Sequence, residues 1–175
     1  MRYITLYFIL MTSFAFSQTL PTSGNLVYID QVGGNNTIYV EQKDIDIKAA
    51  LVVNKGDNND FSISQQGMGN HIAAITPSVS APNSVNNNNT ISIQQSGAGN
   101  HTASVLFDDP VANSNNIASI VQSGGVGANK QFTLQLQGNG ITANVLQNNA
   151  TVPDSGTMAI QCLTPPCSGY SYTRR

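Results

Sequence analysis

The stretch that decides the fold is FSISQQGMGNHIAAI, residues Phe61–Ile75, together with its near copy ISIQQSGAGNHTASV at Ile91–Val105. The two segments align without a gap. Each has the pattern of a short alternating strand, a glycine-rich turn and a second alternating strand. We therefore expect the chain to consist of several such units stacked on one another.

A pattern extracted from these segments, Asn-x-apolar-x-apolar-x-Gln-x-Gly, occurs four times with constant internal spacing. The copies contain Asn25-Gln31-Gly33, Asn59-Gln65-Gly67, Asn89-Gln95-Gly97 and Asn116-Gln122-Gly124. Successive glutamines lie 34, 30 and 27 residues apart. A repeat of this length with a fixed internal pattern is typical of a solenoid.

Each copy continues into a return arm after the turn. In the first three copies an asparagine follows the glutamine by five residues, at Asn36, Asn70 and Asn100. The alternation then predicts inward-facing residues at Ile38, Val40 and Gln42, at Ile72 and Ala74, and at Thr102 and Ser104. In the third arm Ala103, Val105 and Phe107 form a more apolar alternative, which would reverse the facing. A weaker fifth unit runs from Phe132 through a turn at Gln137–Gly140 to Gln147.

The unit boundaries predict four regions. Residues 1–17 have the basic start, apolar run and small residues of a secretory signal, with cleavage expected before Gln18. Residues 18–24 form a leader, 25–147 the repeats, and 148–175 a C-terminal tail. Residues 43–58 contain alternating apolar positions and are either a loop or an additional strand.

Stacking strand-turn-strand units about 4.8 Å apart pairs every backbone group with the units above and below. It also lets buried Gln and Asn amides form ladders, which avoids a cost of roughly 1–3 kcal/mol for each unpaired group. The sequence thus predicts an all-β β-solenoid, a cross-β stack of about five rungs. The predicted ladder residues are Asn25, Gln31, Asn36, Gln42, Asn59, Gln65, Asn70, Asn89, Gln95, Asn100, Asn116, Gln122 and Gln147, and the turn glycines are Gly33, Gly67, Gly97 and Gly124.

Composition excludes one class of partner. Charged residues make up only 9% of the chain and the net charge is −2. A nucleic-acid-binding domain would show a basic face instead. The predicted partner is therefore not a nucleic acid.

Candidate chemistry in the sequence is sparse. His71 and His101 occupy equivalent positions, and they form either an exposed pair or, less in keeping with two ligands alone, a metal site. Cys162 and Cys167 predict a local disulfide in an oxidising compartment. We find no catalytic triad, phosphate-binding loop or zinc-protease motif, and therefore predict no enzyme activity, cofactor or metal.

The repeats resemble the curlin repeat of bacterial curli subunits, whose pattern is Ser-x5-Gln-x-Gly-x-x-Asn-x-Ala-x3-Gln. The first copy matches it at Gln31, Gly33, Asn36, Ile38 and Gln42. The second and third copies match at the Gln, Gly and Asn and have Ile72 and Thr102 at the Ala position, but Thr76 and Leu106 replace the last Gln. Asn replaces the opening Ser in all four copies, and the resemblance covers residues 25–147.

This resemblance implies a secreted functional-amyloid subunit. Its partners would be other copies of itself, related curli or nucleator subunits, and an outer-membrane secretion pore with accessory factors. The location would be a cell-surface fibre that supports adhesion and biofilm formation. The sequence leaves two alternatives open: a monomeric secreted β-solenoid adhesin or binding module, and an enzyme built on a β-helix, for which no acid or nucleophile cluster is visible.

Overall fold

The computed structural model describes residues 24–44, 46–78, 82–83, 85–109 and 112–175. All regular structure in these residues is β-strand, which confirms the predicted fold class. The predicted signal, 1–17, and leader residues 18–23 lie outside the described residues. The strands are β1 (Asn25–Val32), β2 (Thr37–Gln42), β3 (Lys48–Lys55), β4 (Asp60–Gln66), β5 (His71–Pro77), β6 (Val85–Asn87), β7 (Thr90–Gly97), β8 (His101–Phe107), β9 (Ala112–Ser114), β10 (Ile117–Gly124), β11 (Lys130–Gly138), β12 (Ile141–Gln147), β13 (Asp154–Cys162) and β14 (Cys167–Arg174).

The strands form two six-stranded parallel sheets. Sheet A has the order β1-β3-β5-β8-β11-β13, and sheet B has the order β2-β4-β7-β10-β12-β14. The chain alternates between the two sheets, and each turn adds one strand to each sheet. It therefore makes about five turns of a β-solenoid. The short strands β6 and β9 pair with each other and add a third face in the middle of the stack.

The core lies between the two sheets and is filled by alternate residues of β3–β5, β7, β8 and β10–β13. Phe61, Ile91 and Ala118 pair in one column of sheet B, and Ala73, Ala103 and Phe132 pair in one column of sheet A. All six are buried. Parallel pairing in register therefore places each residue directly on its counterpart in the next rung.

Residues 43–58 contain a strand, β3. This strand changes the phase of the repeat, by which we mean which of the two sheets receives the first arm of each copy. Because β3 enters sheet A, the first arm of copy one (β1) also lies in sheet A, whereas the first arms of the other copies (β4, β7 and β10) lie in sheet B. Gln42 consequently pairs with Gln65. The expectation that Gln31 stacks on Gln65 is wrong, since Gln31 pairs with Asn54.

Two return arms face the opposite way from the first prediction. In β5 the buried residues are Ala73 and Ile75, while Ile72 and Ala74 face outward. In β8 the buried residues are Ala103, Val105 and Phe107, as in the apolar alternative. His71 and His101 begin these strands on the inward side, and this sets the parity of the residues that follow.

The C-terminal segment is part of the solenoid rather than a tail. β13 extends sheet A and β14 extends sheet B, both in parallel. A disulfide between Cys162 and Cys167 closes the corner between the two strands. None of the described residues belongs to a helix suited to crossing a membrane.

Corner glycines permit the rungs to approach closely. At Gly97 the backbone has φ of +101°, and a Cβ atom placed there would lie 2.2 Å from the carbonyl oxygen of Gly124 in the next rung. At Gly127 φ is +79°, but no heavy atom lies within 4 Å of the corresponding position. A side chain at Gly127 would therefore meet only the unfavourable φ, whereas a side chain at Gly97 would also collide with the next rung.

We expect Gly97→Ala to lower the free energy of unfolding by about 3–5 kcal/mol, because it adds a collision to an unfavourable φ. Gly127→Ala serves as the matched control and should lose about 1–2 kcal/mol from φ alone. Equilibrium denaturation of the two variants measures the difference. Equal losses would show that the rungs do not constrain the corner.

Candidate functional site: buried ladders and the two ends of the stack

A ladder of five glutamines runs through sheet B on its inward side. The Nε2 of Gln42 donates to Oε1 of Gln65 over 2.9 Å, and Gln65 donates in the same way to Gln95. Gln95 donates to Gln122 over 2.9 Å, and Gln122 to Gln147 over 2.8 Å. Since every amide points the same way, the ladder has a donor direction from the first rung towards the last.

The second hydrogen of each Nε2 connects the ladder to sheet A. Gln65 donates to the carbonyl of Ala49 over 3.0 Å, and Gln95 donates to that of Ile72 over 2.9 Å. Gln42, Gln122 and Gln147 make the equivalent bonds to Leu26, Thr102 and Gln131. Each amide therefore satisfies both hydrogens of its Nε2 and binds two rungs and two sheets together, and all but the partly exposed Gln42 do so while buried.

A second ladder is built from asparagines at the corner that precedes sheet B. Oδ1 of Asn36 accepts from both the backbone N–H and Nδ2 of Asn59. Asn89 bonds in the same way to Asn59, and the backbone N–H of Asn116 donates to Asn89. The residue before each of these asparagines is another asparagine with positive φ, at Asn35, Asn58, Asn88 and Asn115.

This Asn-Asn pair is the signal that the sequence pattern missed. Asparagine tolerates positive φ better than other residues with a side chain, so the first Asn makes the corner and the second enters the ladder. The pair precedes Gln42, Gln65, Gln95 and Gln122 at constant spacing, but Gly24 stands before Asn25. Read in this way, the pattern gives the correct phase for Asn36 and Gln42.

Four predicted ladder residues lie elsewhere. Asn25 and Gln31 are exposed on β1 and belong to neither ladder. Asn70 and Asn100 lie at the opposite corner, where the backbone N–H of Asn70 donates to Oδ1 of Asn100 over 3.0 Å. They are exposed, so they connect successive corners without being buried in the core.

The turn glycines fall into two different corners. Gly67 and Gly97 lie after sheet B, where Gly67 would carry a Cβ 2.3 Å from the carbonyl oxygen of Gly97. Gly124 lies in the same column. Gly33 lies instead after sheet A, against the carbonyl of Gly56. This separation is another result of the strand inserted between copies one and two.

A column of basic side chains is buried where the strands of sheet A begin. Lys48, His71, His101 and Lys130 pair in successive rungs, and none is more than 1% exposed. The imidazole rings of His71 and His101 stack with centroids 4.9 Å apart. The expectation of an exposed histidine pair is therefore wrong. Sequence reasoning also missed both lysines, although Lys130 follows Asn129 as each histidine follows its asparagine.

Corner carbonyls supply the hydrogen-bond partners of this column. Lys48 Nζ donates to the carbonyls of Gly67 and Gly69 over 2.7 and 2.8 Å. His71 Nε2 lies 2.9 Å from the carbonyl of Gln66, and His101 makes the equivalent contact. Because a carbonyl can only accept, Nε2 carries the proton in both rings. Their buried Nδ1 atoms have no hydrogen-bond partner among the described residues.

Burial, with the charges of His101 and Lys48, lowers the pKa of His71 from 6.5 to about 4. Burial also lowers the pKa values of His101, Lys48 and Lys130. Protonation at Nδ1 would place a charged donor without a partner between two lysines. The arrangement therefore favours two neutral imidazoles. In the described part of the chain, no three His, Cys, Asp or Glu side chains are grouped to hold a metal ion.

The two ends of the stack differ. At the first rung, the inward-facing Val27 and Ile29 are 45% and 47% exposed, and no described residue donates to Oε1 of Gln42. At the last rung, Ile160 is buried, and Asp154 accepts from Nε2 of Gln147 over 2.8 Å. The glutamine ladder is thus closed by a carboxylate at one end and open at the other.

Neither a protein-family model, nor a curated protein, nor a solved structure matches this chain. The geometry of the ladders and of the two ends therefore carries the functional argument.

We expect Gln95→Leu to lower the free energy of unfolding by about 3 kcal/mol, because one of the two hydrogens on Gln65 Nε2 and the Oε1 of Gln122 would be buried without partners. Gln31→Leu is the matched control, since the repeat pattern equates the two glutamines but Gln31 is exposed. The control should change stability by less than about 0.5 kcal/mol. Denaturation of both monomers tests the phase of the repeat, and equal losses would contradict it.

We also expect stability to fall on mild acidification. Since the pKa of His71 is about 4 in the fold and 6.5 when exposed, the unfolded chain binds more protons between these values. The contribution of neutral His71 to the free energy of unfolding is therefore fully present above pH 6.5. This contribution decreases by roughly 3 kcal/mol as the pH falls to 4. Denaturation midpoints from pH 7.5 to 4 measure this, and the His71→Gln/His101→Gln variant should show a clearly smaller dependence. Matching pH profiles for the two proteins would contradict this origin.

Proposed function

We propose that this chain is a secreted structural subunit that self-assembles end to end into curli-like amyloid fibres of the extracellular matrix. The observation that carries the proposal is the open first rung. There the glutamine ladder ends in an acceptor, Oε1 of Gln42, to which none of the described residues donates, and Val27 and Ile29 are exposed at the end of an otherwise continuous core. A stack of parallel strands that ends in this way is a template for another rung.

The resemblance to the curlin repeat supports the same proposal. The Gln and Asn positions that carry the resemblance include Gln65, Gln95 and Gln122, which occupy one ladder column. In the proposed family role the partners are further copies of the chain, related curli or nucleator subunits and an outer-membrane secretion pore. The proposed location is the cell surface, where the fibres support adhesion and biofilm formation.

Electron microscopy and thioflavin T fluorescence test this function directly on the purified mature chain, residues 18–175. We expect unbranched, dye-positive fibres whose growth is accelerated by fragmented seeds. A chain that stays monomeric and dye-negative at high concentration, with or without seeds, would contradict the proposal.

The open end makes a more specific prediction. Ile29→Thr should slow seeded elongation about tenfold, because it removes apolar surface from the face that receives the next subunit. The matched control is Ile117→Thr, since Ile117 is 54% exposed on the outward side of β10. The control should elongate within about twofold of the unmodified chain. Equal slowing by both substitutions would contradict the proposal that the first rung is the face that receives the next subunit.

One observation favours the second candidate, a monomeric adhesin or binding module. The outward face of sheet A carries an apolar cavity of about 410 Å³, lined by residues that include Leu26, Tyr28, Leu51, Val53, Ile72 and Ala74. Concave apolar surfaces of this size are typical of ligand sites. Fibre formation that continues unchanged in a Leu51→Ser variant would separate this face from assembly, while loss of adhesion by that variant would support the second candidate.

A further inference from the structure

The two ends of the solenoid present complementary groups at the same register position. In sheet B, the column that contains the glutamine ladder begins at Gln42 and continues to Gln147, which pairs with Arg174 in the last strand. The first rung therefore ends in an amide oxygen, an acceptor. The last rung ends in a guanidinium, which can only donate.

The position of Arg174 follows from its neighbours. Tyr172, two residues earlier on β14, faces inward, where its ring contacts Phe132 at a centroid distance of 4.9 Å. Arg174 has the same parity and so lies on the ladder side of the strand. No hydrogen bond or ion pair joins its guanidinium to any described residue, whereas Asp154 accepts from Gln147 and from the hydroxyl of Tyr172.

Contacts between like ends are disfavoured by these groups. Two first rungs face to face would oppose the Gln42 oxygens, and two last rungs would oppose guanidinium groups. A first rung against a last rung instead brings one acceptor to one donor. The surrounding charges agree, since the first rung carries Asp30, Glu41 and Asp44 against a single lysine, whereas the last rung and the residue after it carry Arg174 and Arg175 against Asp154 alone.

The inward side chains of the two rungs are also compatible. In sheet A, the register that puts Asn25 on Asp154 puts Val27 on Gly156 and Ile29 on Met158. Gly156 has no side chain because the Phe132 ring fills that space from below, 2.7 Å from where a Cβ would lie. In this register Val27 would lie over the Phe132 ring and Gly156, and the exposed Ile29 would lie over the partly buried Met158.

We propose that Arg174 of one copy completes the glutamine ladder of the next by donating to Oε1 of Gln42, so that subunits join only first rung to last rung. This inference rests on the proposed self-assembly and specifies which ends meet. The contact is heterologous, and it generates an open fibre with one direction.

The test uses two single variants of the mature chain in seeded elongation. Arg174→Glu replaces the donor by an acceptor, and Gln42→Lys places a cation where Arg174 must approach. Each variant alone should elongate about tenfold more slowly than the unmodified chain. An equimolar mixture should recover elongation, because the introduced carboxylate of one variant meets the introduced ammonium group of the other, while the remaining contact is the native one.

Two further variants control for charge and for local folding. Arg175→Glu makes the same charge change beyond the end of β14 and should elongate within about twofold of the unmodified chain. Arg174→Gln removes the charge but keeps an amide donor, and it should elongate much faster than Arg174→Glu. These variants distinguish a ladder contact from a general effect of charge at the chain end.

The outcomes separate the two proposals. If the unmodified chain forms no fibres, the proposed function fails. If it forms fibres and either single variant elongates normally, or the mixture fails to recover, or Arg174→Gln behaves like Arg174→Glu, the Arg174–Gln42 contact is overturned. If each single variant elongates slowly, the mixture elongates normally and differential labelling shows alternating subunits, the Arg174–Gln42 contact is supported.

Discussion

The structure depends on the hydrogen bonds of the buried glutamine amides in sheet B, each of which has both a donor partner and an acceptor partner. Gln95 has both only because Gln65 lies below and Gln122 above, at the spacing of neighbouring parallel strands. A slip of one residue would turn these amides outward and break the column. The ladder therefore fixes register in a way that the apolar core of Ile, Val and Ala cannot, since those side chains pack acceptably in more than one alignment.

The same interactions explain why the fold was predictable and the phase was not. Alternation, glycine corners and constant Gln spacing are local features, and they identify strands and a stack. They do not say which sheet a strand enters, because both sheets use the same strand and corner chemistry. β3 has no Gln-Gly signature, yet it occupies a full position in sheet A and shifts Gln31 away from Gln65. Only the Asn35-Asn36 pair carries the phase in the sequence.

The buried basic column was the least predictable part of the site. A histidine or lysine after a turn is usually exposed, and its sequence neighbours give no reason to bury it. The reason is tertiary: the corner between sheets B and A leaves carbonyls of Gln66, Gly67 and Gly69 directed inward, and these carbonyls need donors. Lys48 and the imidazoles supply them. The column thus satisfies the corner carbonyls, and the lowered pKa values of its histidines predict that the fold loses stability in acid.

A hydrogen-bonded ladder also differs from an apolar core in having a direction. Reversing the stack leaves an apolar core unchanged in kind, but it exchanges donors for acceptors along the glutamine column. A direction requires two different ends, and Asp154 provides this difference. Asp154 accepts a hydrogen bond from Gln147, but as a carboxylate it has no hydrogen to donate to a further residue. In the proposed fibre the next donor in the glutamine column is Arg174, so the same chemistry that closes the ladder within one chain would select which end of another chain it receives.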